Sequence, residues 1–169
     1  MPFSTDANWP QDLLNIFNVG HKQNTAVESR YYGPYDRLFN YAVIEGFFTF
    51  FLAPQTAPDE TSWRDGVNFV IFMVVLNQDR KPVLIAEIKD DRWASEPDKR
   101  QRADTHMRQR YDQMLPNCPI PRLYGLSLLG TSLRVYCGNK VTGEVTPHFV
   151  GRPNVNRILP RDFLEGQWD

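Results

Sequence analysis

The chain has 169 residues, with 19 basic and 20 acidic side chains and a formal net charge of −1, a size that suits one domain burying about two-thirds of its unfolded surface. Its only cysteines are Cys118 and Cys137, with no CxxC pair and no His/Cys cluster at zinc-ligand spacing; this argues against a disulfide framework and structural zinc and for a reducing compartment. The N-terminus lacks a basic start followed by an apolar run, and no apolar window reaches the roughly 20 residues of a bilayer span, so we expect an intracellular protein, cytoplasmic or nuclear, with no membrane partner.

In chain order, the amphipathic piece "QDLLNIFN" comes first. The stretch "ESRYYGPYDRLFNYAVIEGFF" then places Leu38, Tyr41, Ala42 and Glu45 at helical spacing, with Gly46 as the stop. An aromatic strand, "FTFFLAPQ", is expected to end at Pro54, and a polar loop separates it from "VNFVIFMVVL", which is apolar on both faces and reads as a covered central strand. The loop "NQDRK" returns the chain into "PVLIAEIKDD". Next, "EPDKRQRADTHMRQRYDQML" carries Ala103, Met107, Tyr111 and Met114 as an apolar stripe on a charged helix that Pro116 ends. Alternation resumes in "PRLYGLSLLGTSLRVYCGNKVTGEVTPHF", with turns expected near Gly130 and between Gly138 and Gly143, and the tail from Gly151 is expected to wrap the surface. The order is helix, three strands, helix, two or three strands: an α/β single domain with a mixed central sheet flanked by helices.

Two features concern chemistry. Residues 1–97 carry 8 basic and 13 acidic side chains, while residues 98–169 carry 11 and 7. This asymmetry suits a metal site beside a polyanion groove, and equally an uneven solvated surface. In "AEIK", Glu87 and Lys89 lie two apart at a strand's end and share a face with Val83 and Ile85. A carboxylate is a hard oxygen ligand for Mg²⁺ or Mn²⁺, and a neighbouring ammonium can steady charge developing on a phosphate; an incidental ion pair is the plainer alternative. The sequence has no GxSxG elbow, GxxxxGK[ST] loop or GxGxxG. Cys118 has no histidine partner in view, and His21, His106 and His148 are too scattered to suggest a metal triad.

The pieces "VNFVIFMVVL", "LIAEIK", "DTHMRQRYDQM" and "RLYGLSLLGTSLRVY", in this order and spacing over residues 28–149, resemble the PD-(D/E)XK nuclease superfamily of restriction-endonuclease-like fold, and most closely a group of fungal proteins of that type. The resemblance implies a nuclease-like core over 28–149, with 1–27 as an N-terminal extension and 150–169 as a tail. It also implies a site at the ends of the two central strands, with Mg²⁺ or Mn²⁺ as cofactor and DNA or RNA as partner, and it leaves a homodimer open. Glu87 matches the metal-binding acid and Lys89 the lysine of the E-x-K motif, while Glu45 matches an additional helix acid, or is a core-facing polar residue. Where the pattern has its first metal-binding aspartate this chain has Asn68, whose amide oxygen brings no charge. Either Asp65, three residues earlier, substitutes as a ligand, or the site is damaged. On the basic helix His106 takes the place of a phosphate-holding residue with Arg110 one turn on, and Lys99, Arg100, Arg102 and Arg108 are candidates to neutralise backbone phosphates. The implied activity is metal-dependent phosphodiester hydrolysis; the rival reading is an inactive nuclease-fold binding or interaction module.

Overall fold

The computed structural model describes residues 7–22, 28–43, 50–55, 72–154 and 157–168. Helix α1 (Gln11–Lys22) and a short 3₁₀ turn (Glu28–Tyr31) lead into α2 (Tyr32–Val43). Strands β1 (Phe50–Gln55), β2 (Phe72–Asn77) and β3 (Pro82–Lys89) follow, then the one-turn helix α3 (Arg92–Ser95) and the long α4 (Pro97–Met114). A 3₁₀ turn (Leu115–Asn117) brings the chain into β4 (Arg122–Leu129), β5 (Ser132–Asn139) and β6 (Val145–Thr146). The six strands form one mixed sheet in sequence order. Every pairing is antiparallel except β3 with β4, because α3 and α4 carry the chain back to the starting edge before β4 begins, as a parallel pair requires.

The doubly apolar β2 and β3 are explained by a helix layer on each face of the sheet. On one face Val74, Leu76 and Ile85 pack with Met107, Tyr111 and Leu115; on the other, Ala86, Ile88 and Leu128 pack with Tyr31, Tyr35 and Phe39. Each fully buried Ile, Leu or Phe in such a layer contributes roughly 1.5–3 kcal/mol. The expected α4 stripe lies in the core, with Ala103, Met107 and Tyr111 at 0–1 % exposure. The spacing of α4 from the sheet is set by two glycines: a Cβ on Gly125 would stand 2.7 Å from the Tyr111 hydroxyl, and one on Gly138 2.6 Å from its ring. The hydroxyl donates to the Leu123 carbonyl at 3.1 Å.

Two sequence expectations need correction, at the first strand and at the tail. The expected helix is α2, where Tyr35 and Phe39 are buried, continuing Tyr31 of the preceding turn, Leu38 packs beside them half-buried, and Tyr41 and Ala42 are half-buried. The first strand runs through Pro54 to Gln55. The tail is not a surface wrapping, since Leu159, Phe163, Leu164 and Trp168 form a third core cluster with Trp93, Ala103 and Leu129. Arg100, at 4 % exposure, fastens it: Nε donates to the Phe163 carbonyl at 2.9 Å and one Nη to that of Arg161 at 2.6 Å, while the other Nη reaches Ala94 O at 2.7 Å. The N-terminal segment also joins the body of the fold through α1, where Phe17 meets Tyr35 edge-on at 5.0 Å.

Candidate functional site

Glu87 and Lys89 project from the carboxyl end of β3 on the α4 side, behind Ile85, and both are closed off from solvent at 0 % and 1 % exposure. A charge that deep is tolerated only when paired. Lys89 Nζ lies 3.5 Å from Glu87 Oε1, and His106 Nδ1, reaching down from α4, lies 3.1 Å from the same oxygen. The other oxygen, Oε2, is buried and has no hydrogen-bond partner among the described residues.

The walls are aromatic and cationic. Trp93 of α3 presents its ring to Lys89 Nζ at 4.8 Å and to the Arg102 guanidinium at 5.7 Å, with the His106 ring tilted against it at 6.3 Å between centroids. Such contacts hold a cation partly desolvated without neutralising it. Arg110, one helical turn past His106, belongs to the same group: burial pushes its pKa down and the nearby Glu87 charge pulls it back up. It donates from Nη1 to Gln113 Oε1 at 3.3 Å.

Among the described residues this corner thus gathers one carboxylate, the three cations Lys89, Arg102 and Arg110, and an imidazole. Its balance is positive, which suits a phosphate. A dication is suited in one respect only: Glu87 Oε2 is an orphaned, buried hard oxygen, the kind of donor a Mg²⁺ or Mn²⁺ ion takes. No group of three or more His, Cys, Asp or Glu side chains able to hold a metal occurs among the described residues, so the remaining ligands would have to come from elsewhere. Phe72 at the start of described β2 pairs with Glu87; Asp65 and Asn68, upstream of it, and Glu45 lie outside the described residues.

No protein-family model, curated protein or solved structure matches the chain. No helix among the described residues is long and apolar enough to cross a membrane.

The structure divides the basic residues expected on α4. His106, Arg110 and Arg102 gather around Glu87 and Trp93. Arg100 faces inward to the tail, and its donors go to carbonyls. Arg108 is held by both oxygens of Asp104 at 2.9 and 3.2 Å and donates to the Pro147 carbonyl at 2.6 Å. Lys99 pairs at 2.7 Å with Glu96 one turn back.

Sequence reasoning missed several residues here. Trp93 reads in sequence as an ordinary aromatic after "KDDR". The row Glu87, Ser127, Arg134 runs in register across β3, β4 and β5 on the α4 face. Arg134 and Tyr136 meet the buried Asp104 at 3.2 and 2.9 Å, and Trp168 Nε1 donates to Ser127 Oγ at 3.1 Å while its ring lies 4.9 Å from the Arg134 guanidinium. The spacing of Asp104 and Arg108, four apart on one helix, was the available signal. The two acids after Lys89 pair with Arg30. Asp90 Oδ2 and Asp91 Oδ2 both approach the Arg30 guanidinium, at 2.9 and 3.0 Å, and Asp90 Oδ1 accepts from the Arg92 amide at 3.0 Å as α3 begins.

Proposed function

We propose that the chain is a nuclease-like protein of restriction-endonuclease-like fold, which binds nucleic-acid phosphodiesters at the Glu87–Lys89 corner and hydrolyses them with a divalent metal. The observation that carries this reading is the asymmetry of the Glu87 carboxylate: Oε1 is tethered by Lys89 and His106, and Oε2 is buried with no donor among the described residues. The strand order supports it as well, because ligands of open α/β sheets gather at the carboxyl ends of parallel strands, and Glu87 and Lys89 lie at that end of β3. Glu87, with Asp65 or Asn68, would hold Mg²⁺ or Mn²⁺, which when bound supplies a Lewis acid and lowers the pKa of coordinated water. Lys89, fixed against Trp93, sets positive charge where a phosphate gains negative charge in the transition state. Arg110 and Arg102 orient that phosphate. His106, oriented by Glu87 through Nδ1 and partly open to solvent, carries a proton between the site and water.

The second reading, an inactive binding module, is favoured by Asn68 and by the positive balance of the described corner, which takes a phosphate without a metal. Calorimetry and thermal melting with Mn²⁺ and Mg²⁺, followed by cleavage of plasmid and single-stranded DNA and RNA with and without EDTA, separate the two. The nuclease reading expects a metal-induced rise in Tm that Glu87→Gln abolishes and Asn68→Asp enlarges, since a ligand that binds only the folded state stabilises it, together with EDTA-sensitive cleavage. Nucleic-acid binding with no metal response and no cleavage supports the module. Neither binding nor cleavage rejects both.

A further inference from the structure

At the other end of β3, away from Glu87, lies a half-open cavity of about 800 Å³. Among the described residues its lining includes the apolar Val74, Leu76, Met114 and Pro116 and the cations Arg80, Lys81 and Lys140, with no acid. The cations stand on well-defined turns. Asn77 Oδ1 accepts from the amides of Asp79 and Lys81 at 3.1 and 2.8 Å, and the Asn77 amide donates to the Lys81 carbonyl at 3.0 Å. The acid of this turn, Asp79, faces back to Asn77 Nδ2 at 3.5 Å. Lys140 is anchored through the Cys118 carbonyl. Arg80 has a φ of +58°, a left-handed backbone that glycine or asparagine adopts far more cheaply. An arginine at such a position is consistent with a use for its guanidinium.

One edge of α4 runs from the candidate site to the cavity. His106, Arg110 and Gln113 follow at i, i+4 and i+7 on one helix edge, a run of about 10 Å; Arg110 bonds Gln113, and Gln113 lines the cavity. We infer that the cavity is a second polyanion subsite, which holds the phosphates of a single nucleic-acid strand whose reacting bond lies at Glu87. The inference rests on the proposed function. Arg80, Lys81 and Lys140 meet the backbone phosphates, a contact that does not depend on the base sequence.

The test is fluorescence anisotropy with a labelled single-stranded oligonucleotide of about 12 nucleotides, in EDTA across a salt series, on the parent protein and on Arg80→Gly combined with Lys81→Gln. The variant should melt no lower than the parent, because glycine relieves the backbone at position 80, yet bind several-fold more weakly. Its plot of log affinity against log salt should flatten by about 1.4, since each phosphate contact to a single strand contributes about 0.7. Equal affinity and slope in parent and variant overturn the inference, as does a parent that binds no oligonucleotide at low salt. An acidic peptide that competes as well as the oligonucleotide assigns the cavity to a protein partner and overturns it too. Failure of the Glu87 reading registers separately, as the same metal response in the parent and in Glu87→Gln.

Discussion

Replacing Glu87 by glutamine keeps the side chain's shape and removes its charge, taking from the buried Lys89 the carboxylate that faces it. At the observed 3.5 Å, two unit charges in an effective dielectric near 20 attract by about 5 kcal/mol, and breaking one partner of a buried pair typically costs about 3–5 kcal/mol. The Trp93 ring, which remains against the ammonium, moderates the loss, so we expect Glu87→Gln to lower stability by about 3 kcal/mol and Tm by about 6–12 °C for a chain of this size. Lys89→Met alone should also destabilise, while the double variant, in which neither charge is buried, should recover most of the stability. Urea denaturation of the four proteins closes a double-mutant cycle whose coupling should exceed about 1.5 kcal/mol. Two single variants each within about 1 kcal/mol of the parent, and additive in the double, would show that Glu87 and Lys89 do not form an energetic unit and would remove the basis for the tethered carboxylate.

Arg100→Met should cost about 2–4 kcal/mol, because it removes three charge-assisted bonds and strands their carbonyls; limited trypsin digestion should cut the Arg152–Arg161 segment well before the rest of the chain, and equal cutting in the parent would contradict the fastening role. Burial pushes the pKa values of Tyr35, Tyr111 and Tyr136 far above the ordinary value near 10, with Asp104 adding to the shift at Tyr136. The stability this lends is complete below pH about 10 and is lost as pH rises further, by up to about 1.4 kcal/mol per pH unit for each tyrosine. Denaturation at pH 9 to 11, with phenolate absorbance followed in parallel, checks this; phenolate forming near pH 10 in the folded protein at these positions would refute it.

Periodicity made most of the fold legible. Alternation in "VLIAEIK" and the 3.6-residue stripe of α4 reflect which faces meet the core, and burial leaves that mark wherever both sides of an element differ. It failed where polar side chains face inward. Arg100, Asp104 and Arg134 are coded as solvated residues, and only the partners that satisfy them, distant in sequence, reveal the inversion. The tail failed for a related reason: Leu159, Phe163, Leu164 and Trp168 follow no helical or strand period, because turns rather than a regular element present them to the core. At the candidate site, the two-residue spacing of Glu87 and Lys89 was enough to place both on one face. The approach of His106 depended on how α4 crosses the sheet, and the part of Trp93 on the short α3 that precedes it.

The fit of Tyr111 over Gly125 and Gly138 governs more than core volume. His106 and Arg110 ride on the same rigid rod, at most about 8 Å along it, so the ring acts as a spacer that fixes how far they descend toward Glu87. Displacements of about 1 Å at a reacting centre can change rates a hundredfold. Random variation at positions 111, 125 and 138 is therefore expected to be tolerated chiefly in compensating sets that exchange volume across the layer, so that the placing of His106 at mid-helix depends on three residues of another part of the core.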